Sequence, residues 1–127
     1  MPIERIQPKG LTVPPGYSHV VKAGNLVFVA GQVAMDSSGT LIGWNDIETQ
    51  ADQVYENLRI ALSSVGADFS KLVKTTTYMT RPEDIEGYRR SRAKNISSDL
   101  PTSTLILVSG LANPDFLIEI EAVATLG

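Results

Sequence analysis

A chain of 127 residues with 43% apolar and 20% charged side chains has the size and composition of one ordinary globular domain, residues 1–127. It contains no cysteine, which excludes disulfides, thiolate metal ligands and cysteine nucleophiles and fits a reducing cytoplasm. A net charge of −3 leaves no electrostatic footprint for nucleic acid, no apolar run reaches the ~18 residues of a bilayer span, and the first twenty residues lack the basic-then-apolar order of a signal peptide, so no nucleic-acid partner, no membrane and a cytoplasmic location are expected.

Residues 1–16 read as extended and irregular. Tyr17 to Lys22 and Leu26 to Gly31 have strand composition, and Ala23-Gly24-Asn25 between them has turn chemistry, which predicts a β-hairpin. Ser37-Ser38-Gly39 marks another turn, and Thr40 to Ile42 a brief edge strand before Trp44, which reads as a packing residue. From Ile47 the apolar positions take helical spacing through Ala51, Val54, Tyr55, Leu58, Ala61, Leu62 and Val65. Asn45 or Asp46 caps that helix, and Gly66 supplies the left-handed residue that ends it. Leu72 to Thr80 returns to strand character through its β-branched residues. Pro82 suits a first helical turn, and Ile85, Tyr88 and Ile96 put an apolar stripe on a second helix running to about Ser97, with Arg89, Arg90, Arg92 and Lys94 toward its end, where cations complement the dipole. Thr102 to Val108 and Phe116 to Thr125 are the last strands, on either side of the turn Asn113-Pro114-Asp115.

This order describes an α+β fold, a sheet whose one face is covered by two helices. Leu26 to Ala30 and Leu105 to Val108 are apolar at every position, a pattern of strands covered on both sides, yet nothing else in the chain covers the second face. A homo-oligomer that packs sheet faces together, with pockets at the seams, is the expected solution. Toward that seam point Glu119 and Glu121, flanked by Leu117 and Val123, while Ile118, Ile120, Ala122 and Ala124 point the other way. Carboxylates in that setting are either rim ion pairs or partly dry acid–base groups, and alternation alone leaves both readings open.

Five ordered pieces carry a resemblance: Pro15-Gly16-Tyr17-Ser18-His19, Gly24 to Gln32, Glu56-Asn57-Leu58, Val73-Lys74-Thr75-Thr76 and Ile118-Glu119-Ile120-Glu121-Ala122. They resemble the Rid (reactive intermediate deaminase) or YjgF-like family, also called the L-PSP endoribonucleases. The resemblance implies a chorismate-mutase-like mixed sheet with two helices on one face. It further implies a homotrimer with small-molecule clefts between subunits, and hydrolysis of imines or enamines such as 2-iminopropionate without cofactor or metal. In that chemistry an arginine pairs with the substrate carboxylate, a glutamate positions or deprotonates water, and a tyrosine and backbone amides line the pocket. Glu119 matches the glutamate and Tyr17 the tyrosine, with Ala30, Gly31 and Glu121 in the substrate-binding surroundings.

Two positions depart from the family pattern. Ser103, in Pro101-Thr102-Ser103-Thr104, stands where deaminating members carry the arginine, and Ala30 stands where Ser or Thr is common. A hydroxyl cannot replace a bidentate guanidinium. Arg89 falls where many members have a cleft-facing asparagine and is the candidate to restore positive charge, whereas His19, the one histidine, shares a face with Tyr17 and reads either as an edge of the cleft or, in preference, as a satisfied surface residue. The favoured function is therefore an imine or enamine deaminase-hydrolase, with Glu119 and water acting on a substrate other than simple 2-iminopropionate. The alternative is a non-catalytic binding or regulatory trimer. RNA cleavage, suggested by the older family name, is opposed by the acidic composition.

Overall fold

The computed structural model describes residues 2–127; Met1, the first residue of the arm expected to be irregular, lies outside it. Six strands, β1 (Ile3–Ile6), β2 (Val20–Ala23), β3 (Leu26–Gln32), β4 (Leu72–Met79), β5 (Thr102–Leu107) and β6 (Ile118–Thr125), form one sheet in the order β1-β2-β3-β6-β4-β5. Every neighbouring pair is antiparallel except β4 and β5, which α2 (Ile85–Asn95) connects in parallel. The other helix, α1 (Ile47–Ser63), links β3 to β4. The α+β architecture with two helices on one face is as expected.

Local chemistry explains the best-read pieces. The two-residue turn between β2 and β3 has Gly24 at φ +62° as its first central residue, a conformation that glycine enters without steric cost. Asp46 caps α1 by accepting from the Thr49 amide at 3.2 Å, and Gly66 leaves the helix at φ +75°. The apolar stripe of α1, including Val54, Tyr55, Leu58 and Leu62, packs on Val20, Val27, Val29, Ile118, Ile120 and Ala122 from the sheet. On the first turn of α1, the buried Gln50 ties the helix to the segment that leads into β6: it donates to the carbonyls of Gly43 and Asp115 and accepts from the Leu117 amide.

Several expected boundaries move. Ile3–Ile6, inside the arm read as irregular, pairs with β2 from Ile3↔Ala23 to Ile6↔Val20; it is a short edge strand with largely exposed side chains, so it lacks the apolar alternation that betrays a strand. The first expected strand starts three residues late, at Val20, and Tyr17, Ser18 and His19 precede it. Thr40 to Ile42 makes only an isolated bridge, Met35↔Leu41. Phe116 and Leu117 are buried but lie ahead of β6. Trp44, read as packing, is 69% exposed, while His19, read as a surface residue, is 4% exposed.

The second face of the sheet is bare in a single chain. Along β3, Val27 and Val29 are buried against the helices while Leu26 and Phe28 are exposed, and β5, apolar from Leu105 to Leu107, is an edge strand with Ile106 and Leu107 exposed. No helix among the described residues is long and apolar enough to cross a membrane.

Candidate functional site

Glu119 and Glu121 stand on the bare face, and strand register says what stands with them. In β4, Tyr78 lies opposite Glu119, Thr76 opposite Glu121 and Lys74 opposite Val123, while Phe28 of β3 meets Val123 from the other side. Directly paired residues share a face, so these side chains form one patch. The Tyr78 hydroxyl donates to Glu121 Oε1, a bond that holds the tyrosine proton and raises its pKa. Glu119 is half-buried; burial, first, and the Glu121 charge, second, push its carboxyl above the ordinary glutamate range. Neither cause is a hydrogen bond, so the carboxylate keeps its acceptor capacity for a ligand or water.

The backbone beneath Glu119 is irregular. Against β6, β3 runs from Val29↔Ala122 to Gln32↔Ile120, three steps on one strand and two on the other, so Ala30-Gly31 forms a bulge. A Cβ built on Gly31 would lie 2.2 Å from Glu119 Oε2 and 2.7 Å from its Cδ. Only glycine lets the carboxylate lie against the bulge.

A hollow opens on each side of this point. The larger, about 330 Å³, is lined on the bare face by Ser18, Phe28, Ala30, Lys74, Thr76 and Glu121. Its wall is mostly apolar, with one ammonium and one carboxylate. The smaller, about 20 Å³, has room for one water and is bordered by Tyr17, His19, Gly31 and Gln32. Among the expected site residues, one chain thus groups Glu119 over Gly31, with Ala30 and Glu121 on one flank and Tyr17 on the other.

Arg89 and Ser103 are not part of this group. Ser103 is in register with Thr75, which is buried toward the helices, and its neighbour on the same side of β5, Leu105, packs on the core, so Ser103 occupies the helix side of the sheet edge. Arg89 is on the solvent side of α2, ion-paired with Glu86 at 2.6 Å. Two other cations of that helix are also paired, Arg90 with Glu48 and Lys94 with Asp52, while the Nε of Arg92 is buried with no hydrogen-bond partner among the described residues. Among the described residues no group of three His, Asp or Glu side chains is placed to hold a metal ion.

Lys74, Thr76, Tyr78 and Phe28 escaped the sequence reading. The signal was present for the first three, since residues 74, 76 and 78 alternate onto one side of a single strand. What was missing was the register that sets that side against Glu119 and Glu121.

The comparisons with known proteins agree with this architecture. Residues 10–126 match the family described as Endoribonuclease L-PSP. A RutC family protein of Pyrococcus horikoshii is 35% identical over 108 residues, 85% of each chain. Reactive Intermediate Deaminase A, chloroplastic, of Arabidopsis thaliana is 33% identical over 111 residues, 87% of this chain and 58% of that one. A crystal structure of the Rid family protein YyfA from Yersinia pestis, titled as of unknown function, superposes with a TM-score of 0.92 at 26% identity, covering 98% of this chain and 100% of that one. The chain therefore belongs to the L-PSP, or Rid/YjgF-like, family.

Proposed function

We propose that this protein is a deaminase-type hydrolase of the Rid family, acting on an imine or enamine in clefts between the subunits of a homotrimer. The observation that carries the reading is the half-buried Glu119 carboxylate resting on a glycine bulge with raised proton affinity. An imine carbon is already electrophilic, so an oriented water and one base suffice: Glu119 takes a proton from water, the new C–O bond forms, and the nitrogen, protonated in turn, leaves as ammonia while C=O replaces C=N. A base whose proton affinity lies above that of a free carboxylate is better matched to neutral pH.

Subunit association completes the pocket in this reading. Within one chain the sheet separates Glu119 and Tyr78 from Ser103 and Arg89. A neighbouring copy that covers the bare face with its β5 edge and α2 brings both sets to one cleft. Ser103 there offers no cation, so the substrate differs from simple 2-iminopropionate, and a substrate carboxylate would look to Arg89 or Lys74. The Glu119–Glu121 pair repels a phosphate backbone, which disfavours RNA cleavage.

A panel of imines generated in solution by an amino-acid oxidase, with ammonia release followed for wild type and Glu119→Ala, tests the reading. Turnover above buffer that disappears in the variant is expected. Turnover on no imine would leave the non-catalytic binder, a reading favoured by the lack of an arginine beside Glu119.

A further inference from the structure

His19 and Gln32 have no role in the chemistry above, yet both are buried polar groups, 4% and 2% exposed, placed directly behind the Ala30-Gly31 bulge. We propose that His19 and Gln32 are positioning residues that lock this bulge, and through Gly31 set where the Glu119 carboxylate rests; the inference builds on the reading of Glu119 as the base.

The lock closes on both sides of one residue. The Ala30 amide donates to the His19 carbonyl at 2.8 Å, and the Ala30 carbonyl accepts from Gln32 Nε2 at 3.0 Å. The same Gln32 nitrogen donates to His19 Nδ1 at 3.1 Å, and His19 Nε2 donates to the Thr12 carbonyl at 2.8 Å. Because a carbonyl can only accept, Nε2 carries the proton and Nδ1 offers a lone pair, which is what the Gln32 amide requires. Every assignment supports the others, so Nε2 is the donor and Nδ1 the acceptor of the ring. Its segment is anchored too: the His19 amide donates to Gln7 Oε1 at 3.2 Å, and the Tyr17 ring meets the imidazole edge-on at 5.7 Å.

A bulge carries an extra residue outside the ladder, and its backbone is free to settle in more than one way unless something pins it. Here the pin is a side-chain chain running from Thr12 through His19 and Gln32 to Ala30. Glu119 lies so close over the next residue that a shift of the Gly31 backbone must move the carboxylate. A general base loses effectiveness steeply with small displacements, which gives the buried pair a consequence for rate as well as for packing.

The test uses His19→Leu and Gln32→Met, which keep volume and remove the bonds; His19→Gln, whose amide can accept from Gln32 and donate to Thr12; and Ser91→Ala, which removes a buried contact to Asp52 in the helix layer as a stability control. Two quantities are read: kcat and KM for the imine, and the titration of the Glu119 carboxyl by carbon-13 NMR. His19→Leu and Gln32→Met should lower kcat by about tenfold or more with KM little changed. They should also move the Glu119 titration toward that of a free glutamate, with His19→Gln restoring both. Wild-type values in folded His19→Leu and Gln32→Met would overturn the proposal, as would losses that Ser91→Ala reproduces at equal thermal stability. Nitrogen-15 spectra of the wild-type ring give an answer that needs no variant: the opposite tautomer at neutral pH would sink it. If wild type turns over no imine, Glu119 is not the base of such a reaction, but the NMR titration still decides whether the lock positions it.

Discussion

Gly31 and Glu119 share a space that a methyl group would fill. In Gly31→Ala the three nearest neighbours of the new Cβ all belong to the Glu119 side chain, from Cγ at 2.8 Å to Cδ at 2.7 Å and Oε2, so that flexible side chain gives way and the carboxylate is displaced. We expect the variant to remain folded and to lose about 100-fold in kcat, read by ammonia release at saturating imine. Glu119→Gln has the opposite profile. Because the folded protein holds the Glu119 proton more tightly than the unfolded chain does, this residue favours folding below the unfolded pKa and loses that contribution as pH rises through the folded one. At neutral pH its buried charge is a cost, so Glu119→Gln should raise Tm by a few degrees there, with the gain fading in acid, while abolishing turnover. Thermal melts across pH check the sign. Alternation along Ile118 to Ala124 already placed both glutamates on one side, because that signal lies within a single strand. The partnership of Tyr78 with Glu121 was not readable, since it joins two strands distant in the chain.

Elements were legible in proportion to how much of their stability is local. Helix α1 carries its own start, stripe and stop in Asp46, the apolar positions from Ile47, and Gly66. Asp46→Ala should cost about 1 kcal/mol by chemical denaturation at neutral pH. Bonds from the Thr49 amide and hydroxyl hold the Asp46 carboxyl below its ordinary pKa, so this contribution is present above the unfolded value and disappears as pH falls through the folded one. Denaturation repeated in acid should therefore find wild type and variant alike. Strand Ile3–Ile6 shows the reverse case. Its sequence, Ile-Glu-Arg-Ile, has no buried face to write into an alternating pattern; it is a strand because Ala23 to Val20 offers it an edge. His19 read as a surface residue for a similar reason: a polar ring is buried only where partners meet it, and Thr12 and Gln32 are supplied by the way the chain turns back.

The bare sheet face is the surface that the proposed association with sister copies would cover. Leu26, Phe28, Val73 and Ile106 are 39–45% exposed in one chain, and covering them is worth about 25 cal/mol for each Å² of apolar surface removed from water. Sedimentation of wild type should show three copies of the 13.7 kDa chain, and Phe28→Glu, which sets a charge in the centre of that face, should shift the mass toward one copy and remove turnover with it. Composition and periodicity alone implied the α+β class, both helices, most strands and an uncovered sheet surface, because each of these follows from side chains a few residues apart. Tertiary structure alone revealed the bulge under Glu119, the side of the sheet to which Ser103 belongs, and the burial of His19. The first two depend on register between strands remote in sequence, where a shift of one residue, which leaves composition unchanged, would reverse the face of every side chain, and the third on the return of the chain that brings Thr12 and Gln32 to the ring.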